Sequence, residues 1–189
     1  IADHYDEIKE VCESTTQHGK LLRLEPRTVG RRVYLTFCFN TADAMGLNMA
    51  NIAADLACRH IVERTHAQQY YLRSNLSTDK KPAYVNMLKP YGKEVIVETC
   101  FPRRVLKRLF GVEPTAIRNL HYHGTIAGLE AGMIGFNCHY ANGLAALFIA
   151  CGQDVAQVVN ASIGINTIEV TPTGDLYFAA HMPNIIIAT

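Results

Sequence analysis

Residues 20–40, KLLRLEPRTVGRRVYLTFCFN, read as a β-hairpin, and that reading decides the class of fold. Lys20 to Pro26 and Arg31 to Asn40 are strand-like runs joined by a turn at Val29-Gly30, where glycine relieves the steric bar on turn dihedrals. Val33, Leu35, Phe37 and Phe39 alternate with Tyr34, Thr36 and Cys38, so one face of the second strand is expected to meet a core. Upstream, Tyr5, Ile8, Val11 and Cys12 recur at helical spacing across residues 3–14, with acidic residues early, as the helix dipole favours. Thr15 to Gly19 closes that helix. Downstream, Asn40 or Thr41 can cap a helix expected from about Asp43 to Thr65. Met45, Met49, Ile52 and Leu56 line one side of it, with Ala53, Ala57 and Ile61 beside them. Gln68 to Arg73 reads as a further strand. Helix, hairpin, helix and strand over roughly the first 72 residues make an α+β pattern.

The rest of the chain keeps mixing helix and strand. Lys93 to Thr99 alternates with Val95 and Val97 inward, which predicts a strand. Pro102 to Phe110 reads as a short basic helix. Glu113-Pro114-Thr115 opens a longer one through about Ala131, and Gly135 to Asn137 breaks it. A strongly apolar helix follows from about His139 to Ala150. Ala161 to Thr171 and Asp175 to Pro183 pair across Pro172-Thr173-Gly174. No internal repeat, low-complexity tract or flexible linker interrupts this order.

Composition narrows the classes of function. The 189 residues are 49% hydrophobic and 19% charged, a globular balance with room for a core. A net charge of +1 gives no case for nucleic acid or an anionic membrane surface as partner. Six scattered cysteines without a C-x-x-C pair read as reduced thiols in a cytoplasmic protein. Leu144 to Cys151 and Ile185 to Ala188 fall far short of the roughly 20 apolar residues of a spanning helix. The first residues are charged, so no signal peptide is visible, and an opening Ile1 is expected of a processed or partial chain.

Three blocks carry candidate chemistry. Asp79-Lys80-Lys81-Pro82 sets two cations and a carboxylate against a rigid residue, in an ordered loop or strand end rather than a helix. Two adjacent lysines facing opposite ways suit a site that holds one anionic group and polarises another; the plain alternative is a solvated turn. Asp43-Ala44-Met45-Gly46-Leu47-Asn48 begins a helix, where exposed amides and the dipole favour a phosphate, or else simply caps a core helix. No G-x-G-x-x-G follows a strand, so a Rossmann site is not supported. Asp154 follows an apolar helix in Ile149-Ala150-Cys151-Gly152-Gln153-Asp154. Partial desolvation there is expected to raise its pKa for proton handling, and the alternative is an N-cap for Val155 to Val159. His121-Tyr122-His123 would share a face on a strand, but with no third ligand near and a helix expected, no metal site is assigned. Cys100 and Cys138 lack a local base and read as core thiols.

In their order and spacing, the D-A-M-G-L-N, D-K-K-P and A-C-G-Q-D blocks resemble 3-hydroxy-3-methylglutaryl-coenzyme A reductases, across essentially the whole chain. The resemblance implies a small dinucleotide domain of ferredoxin-like shape over residues 1–72 and part of the larger helix-rich α+β substrate domain over residues 73–189. It implies NAD(P)H-dependent reduction of the thioester to mevalonate and coenzyme A, a step toward isoprenoid precursors. By the same resemblance Lys80 and Asp154 are catalytic, and Asp79, Lys81 and Asn142 bind the hydroxymethylglutaryl group. Asp43, Met45, Gly46, Leu47 and Asn48, with Thr16 and Gln17, bind the dinucleotide. One branch of the family takes its catalytic lysine from D-K-K-P; the other has it at the place held here by Cys138, which cannot act as a cation. The role therefore falls to Lys80. A site formed between two subunits is implied, hence a homodimer or a dimer of dimers.

The departures matter as much. The family's catalytic glutamate, in T-E-G, would lie upstream of Ile1, and its catalytic histidine beyond Thr189, so these residues alone are expected to be incomplete for catalysis. Where a lysine of an N-x-N-K-N-L-V-G run binds the substrate carboxylate, Leu120 to Gly124 places Tyr122 or a flanking histidine. A Ser-Arg pair near the 2′-phosphate of NADPH is replaced by Thr16-Gln17, which opens the choice between NADPH and NADH. A second reading is a non-catalytic relative, a binding or assembly subunit, against which the joint presence of Lys80, Asp154 and Asn142 argues.

Overall fold

The computed structural model describes residues 1–72 and 74–188. The chain folds as two compact units, Ile1–Ser77 and Thr78–Ile187, and both mix helix with sheet, giving an α+β protein.

In the first unit a 3-10 turn at Ala2–His4 leads into α1 (Tyr5–Glu13), then β1 (Lys20–Val29), β2 (Arg32–Asn40) and α2 (Leu47–Glu63). The strands pair antiparallel from Lys20 opposite Asn40 to Val29 opposite Arg32, around a turn at Gly30 with φ 58°. A bulge between Leu21 and Arg23 turns Leu22 outward, where it is 58% exposed. The core joins Ile8 and Cys12 of α1, Leu21 of β1, and Ala53 and Ala57 of α2, with Phe37 and Phe39 packed against them. Small alanines let α1 approach closely: Cys12 Sγ lies 3.8 Å from the Ala53 carbonyl, and burial pushes its thiol up to about 11. Thus the alanine stripe of α2 is the buried one. Ile52 and Leu56, expected on the packed side, are exposed, as is Val33 on β2, because α1 covers only one end of the hairpin and one stripe of α2. The two strands form a two-stranded sheet, whereas a ferredoxin-like sheet has four, so that expectation reaches beyond these elements. Residues 68–72 form no strand, and Arg73, the end of that expected run, lies outside the described residues.

The second unit follows a 3-10 turn at Asn75–Ser77. Its elements are α3 (Val85–Leu88), β3 (Lys93–Phe101), α4 (Arg103–Phe110), α5 (Pro114–Glu130), α6 (Tyr140–Ala150), a 3-10 turn at Val155–Gln157, α7 (Val158–Ala161), β4 (Ile165–Val170) and β5 (Leu176–Ile185). The sheet order is β3-β5-β4, antiparallel throughout, with β5 central. Leu144 and Phe148 of α6, Ala161 of α7 and Ile185 of β5 form the core, and Val95 packs against it. Val97, expected inward, is 56% exposed: it shares a face with Val95 in unbroken register along this edge strand, but the core packs against Val95 alone of the two. Cys100 and Cys138 are likewise exposed rather than core thiols. No helix among the described residues is long and apolar enough to cross a membrane.

Candidate active site

In the second unit, the chemistry gathers where α6 stops. Gly152 at φ 65° ends the helix: its N–H donates to the Ile149 carbonyl at 3.3 Å, and the Gln153 N–H reaches back to Phe148 at 2.8 Å. This 6→1 and 5→2 pattern is a Schellman stop, for which glycine is suited because the left-handed region costs it nothing. The chain thereby delivers Asp154 as N-cap of the Val155–Gln157 turn, its Oδ1 accepting the Ala156 N–H at 3.0 Å. Its Oδ2 lies 2.6 Å from Lys80 Nζ. Asp154 is therefore both a cap and half of an ion pair. Its expected upward pKa shift is not found: the Lys80 hydrogen bond, helped by the Ala156 N–H, holds the carboxyl below its ordinary value and outweighs desolvation.

Lys80 reaches that pair from an unusual backbone. It has φ 55°, and Thr78 has φ 54°, although neither is glycine. Left-handed conformations cost such residues about 1–2 kcal/mol. The turn is closed by the Lys81 N–H donating to the Thr78 carbonyl at 3.1 Å, so D-K-K-P is an ordered loop, as expected. The Lys81 side chain is exposed, with Nζ 3.4 Å from the Asp79 carbonyl oxygen.

Beneath the loop lies a buried polar layer that the sequence reading missed. Asp79 is only 6% exposed, and its Oδ1 accepts from Gln157 Nε2 at 2.8 Å. Asn160 Nδ2 meets the Thr78 carbonyl at 3.3 Å and Tyr91 Oη at 2.6 Å. Thr78 Oγ1 donates to Asn86 Oδ1 at 2.7 Å, and Asn184 Oδ1 accepts the N–H groups of Tyr91 and Gly92. Burial, then the charge of Asp79, pushes the Tyr91 phenol above its usual range. These polar residues are far apart in sequence. The only local signal is Gln157 and Asn160, three apart in an otherwise apolar segment.

Asn142 is not drawn into this cluster. It is exposed near the start of α6, its Nδ2 3.3 Å from His139 Nδ1, and eight residues of helix, about 12 Å, separate it from Ala150. Tyr122 sits on α5 and is 61% exposed. His121 and His123 are two apart on the same helix and so face apart. The described residues hold no group of three or more His, Cys, Asp or Glu able to bind a metal ion.

The first unit holds the other candidate stretch. Its helix begins at Leu47 rather than Asp43, with Gly46 as N-cap at φ 71° and no capping side chain. The expected caps act earlier: Asn40 Oδ1 accepts the Ala42 N–H, and Thr41 Oγ1 donates to the Ala44 carbonyl at 2.6 Å, across a turn at residues 42–44. Asp43 and Asn48 are exposed, while Met45, Gly46 and Leu47 are half-buried. Gly19, in the same turn as Thr16, comes close to this helix start. A Cβ on Gly19 would fall 2.4 Å from Met49 Sδ and 3.0 Å from Thr16 Cγ2, so the turn after α1 packs onto the first turn of α2. Thr16 Oγ1 already accepts the His18 and Gly19 N–H groups, Gln17 is exposed, and Lys20 Nζ pairs with Glu13 at 3.1 Å.

The family model described as hydroxymethylglutaryl-coenzyme A reductase matches residues 1–189. The 3-hydroxy-3-methylglutaryl-coenzyme A reductase of Methanothermobacter thermautotrophicus is 40% identical over 191 residues, covering 100% of this chain and 48% of its own. That of Pyrococcus horikoshii is 40% identical over 192 residues, covering 100% and 46%. The Xenopus laevis enzyme of that name is 36% identical over 193 residues, covering 100% and 22%. The chain thus spans about half the length of the archaeal relatives it matches.

Proposed function

Because the chain belongs to the hydroxymethylglutaryl-coenzyme A reductase family, we propose that the full-length protein reduces 3-hydroxy-3-methylglutaryl-coenzyme A to mevalonate and coenzyme A. The observation that carries the reading is the 2.6 Å contact between Lys80 Nζ and Asp154 Oδ2, two of the residues the motifs single out. In this reading the protein is of the branch whose catalytic lysine lies in D-K-K-P. Residues 1–72 are the dinucleotide domain and 73–189 part of the substrate domain.

Lys80 donates to the thioester carbonyl oxygen and stabilises the negative charge that develops there. Asp154, kept ionised by its hydrogen bonds, holds the ammonium in place while the substrate approaches. Lys81 and Asn142, with Asp79, hold the hydroxymethylglutaryl group; Lys81 is exposed and available to a carboxylate. Two equivalents of the reduced dinucleotide would supply the two hydrides that take the thioester to the alcohol of mevalonate and free coenzyme A. Uncapped amides at the start of α2, and the close approach that Gly46 allows, fit a phosphate-bearing ligand there, with Asp43, Met45, Leu47 and Asn48 around it. Thr16 and Gln17 stand where the 2′-phosphate would distinguish NADPH from NADH. Engagement of Thr16 by backbone N–H groups and of Lys20 by Glu13 favours weak discrimination. The active form is a cytoplasmic homodimer or dimer of dimers.

The test is thioester-dependent loss of reduced nicotinamide absorbance by the purified full-length protein, with mevalonate and free thiol as products. Oxidation that does not depend on the thioester, or none, contradicts the reading.

A further inference from the structure

We propose that Gln157 is a positioning residue of this site: through the Asp79 carboxylate it fixes the left-handed turn that carries Lys80 to Asp154. The inference rests on the functional reading above for what Lys80 does, but its own ground is geometric. Thr78 and Lys80 both occupy positive φ without being glycine, so the turn depends on what holds it from outside. Asn160 holds the Thr78 carbonyl, Asn86 holds the Thr78 hydroxyl, and Gln157 holds the side chain of Asp79, the residue between the two left-handed positions.

The decisive feature is that Gln157 and Asp154 share one short turn. Asp154 caps Val155–Gln157 and Gln157 ends it, so a single rigid segment presents both the anion that faces Lys80 and the amide that holds its neighbour. Displacing either contact changes where Lys80 Nζ sits relative to Asp154. Gln157 itself is fully buried and reaches neither a substrate nor a dinucleotide. Its amide chemistry is specific as well. Asp79 Oδ1 is an acceptor in a buried place, so it is served by an N–H donor. A glutamate there would set two carboxylates against each other.

The experiment uses the full-length protein with the Asp154 carboxyl followed by 13C NMR titration, alongside steady-state kinetics. In the wild type, Asp154 titrates below the ordinary carboxylate range, held there by Lys80. Gln157→Glu is expected to move that midpoint up toward the ordinary carboxylate range as Lys80 drifts away. It should lower kcat roughly tenfold to hundredfold, leaving the KM of the nicotinamide cofactor unchanged. Asp79→Asn combined with Gln157→Glu inverts donor and acceptor and is expected to bring the midpoint back down. Should the carboxylate pair prevent folding, Gln157→Asn withdraws the amide by one methylene and gives the same comparison. An unmoved midpoint in the folded single variant, or one the inverted pair fails to restore, overturns the proposal. If the wild type shows no thioester-dependent oxidation, the functional reading falls while the titration still decides the positioning claim.

Discussion

Replacing Gly46 by alanine tests the helix start assigned to the dinucleotide. Gly46 has φ 71°, and an ideal Cβ there would fall 2.3 Å from Thr41 Cγ2, against the roughly 3.5 Å of an ordinary carbon contact. The left-handed backbone alone costs alanine about 1–2 kcal/mol. Thr41 must also move by more than an ångström, which breaks the 2.6 Å bond from its hydroxyl to the Ala44 carbonyl, worth about 0.5–1.5 kcal/mol. Together these predict a local destabilisation of roughly 1.5–3.5 kcal/mol. Hydrogen exchange on peptides from residues 41–63 of the full-length protein measures it, because local opening reports that free energy without requiring two-state unfolding. A helix N-terminus contributes about 0.3–2 kcal/mol to anion binding, so the KM of the nicotinamide cofactor should rise roughly two- to thirtyfold while the KM of the thioester stays put. Wild-type exchange together with an unchanged cofactor KM would refute the reasoning; a raised thioester KM with normal cofactor binding would put this helix in the other site.

Asp154→Asn should abolish most turnover yet cost under about 1 kcal/mol of stability, since both partners of the ion pair are about a third exposed. Its folded-state pKa lies below the ordinary value, so the stabilisation is complete above the unfolded-state carboxylate range and lost as pH falls through the folded value; the stability gap between wild type and variant should therefore close in acid. Gln17→Arg should widen the NADPH-over-NADH ratio of kcat/KM by about one to two decades, the worth of one charge-assisted contact; a strong native preference that the change leaves untouched would show that another cation holds the phosphate. Phe148→Ala, at a site 1% exposed in the core of the second unit, should cost about 3–5 kcal/mol in urea unfolding, and a loss below about 1 kcal/mol would place that core elsewhere.

What was legible in the sequence is what local chemistry dictates. The hairpin at residues 20–40, the proline-opened α5 and the order of elements follow from periodicity, turn residues and caps. So does the stop before Asp154, because Gly152 two residues earlier can take the left-handed conformation that ends α6. The misreadings share a cause. Asp43 resembled a helix start, but Thr41 and Asn40 spend their side chains on a turn, and Gly46 moves the helix to Leu47. Val97 alternates correctly and shares its face with Val95, yet only Val95 meets the core, because how far that core extends along an edge strand is set by tertiary packing. Asp154 looked like a desolvated acid until the structure set Lys80 beside it. The layer of Asp79, Gln157, Asn160, Asn86 and Asn184 was legible only as the spacing of Gln157 and Asn160 and as Asp79 in its motif, because its members meet through tertiary contacts between distant segments.

The most direct test of the central claim is turnover of the full-length protein carrying Lys80→Ala, with the thioester and NADPH both saturating. Loss of a cation aimed at a developing oxyanion removes about 3–4 kcal/mol of transition-state stabilisation, so kcat should fall roughly 100- to 1000-fold while the KM of NADPH holds. Lys81→Ala, measured beside it, should instead raise the KM of the thioester. A Lys80→Ala enzyme with kcat within a few-fold of wild type would contradict the account and leave D-K-K-P as an ordered surface turn.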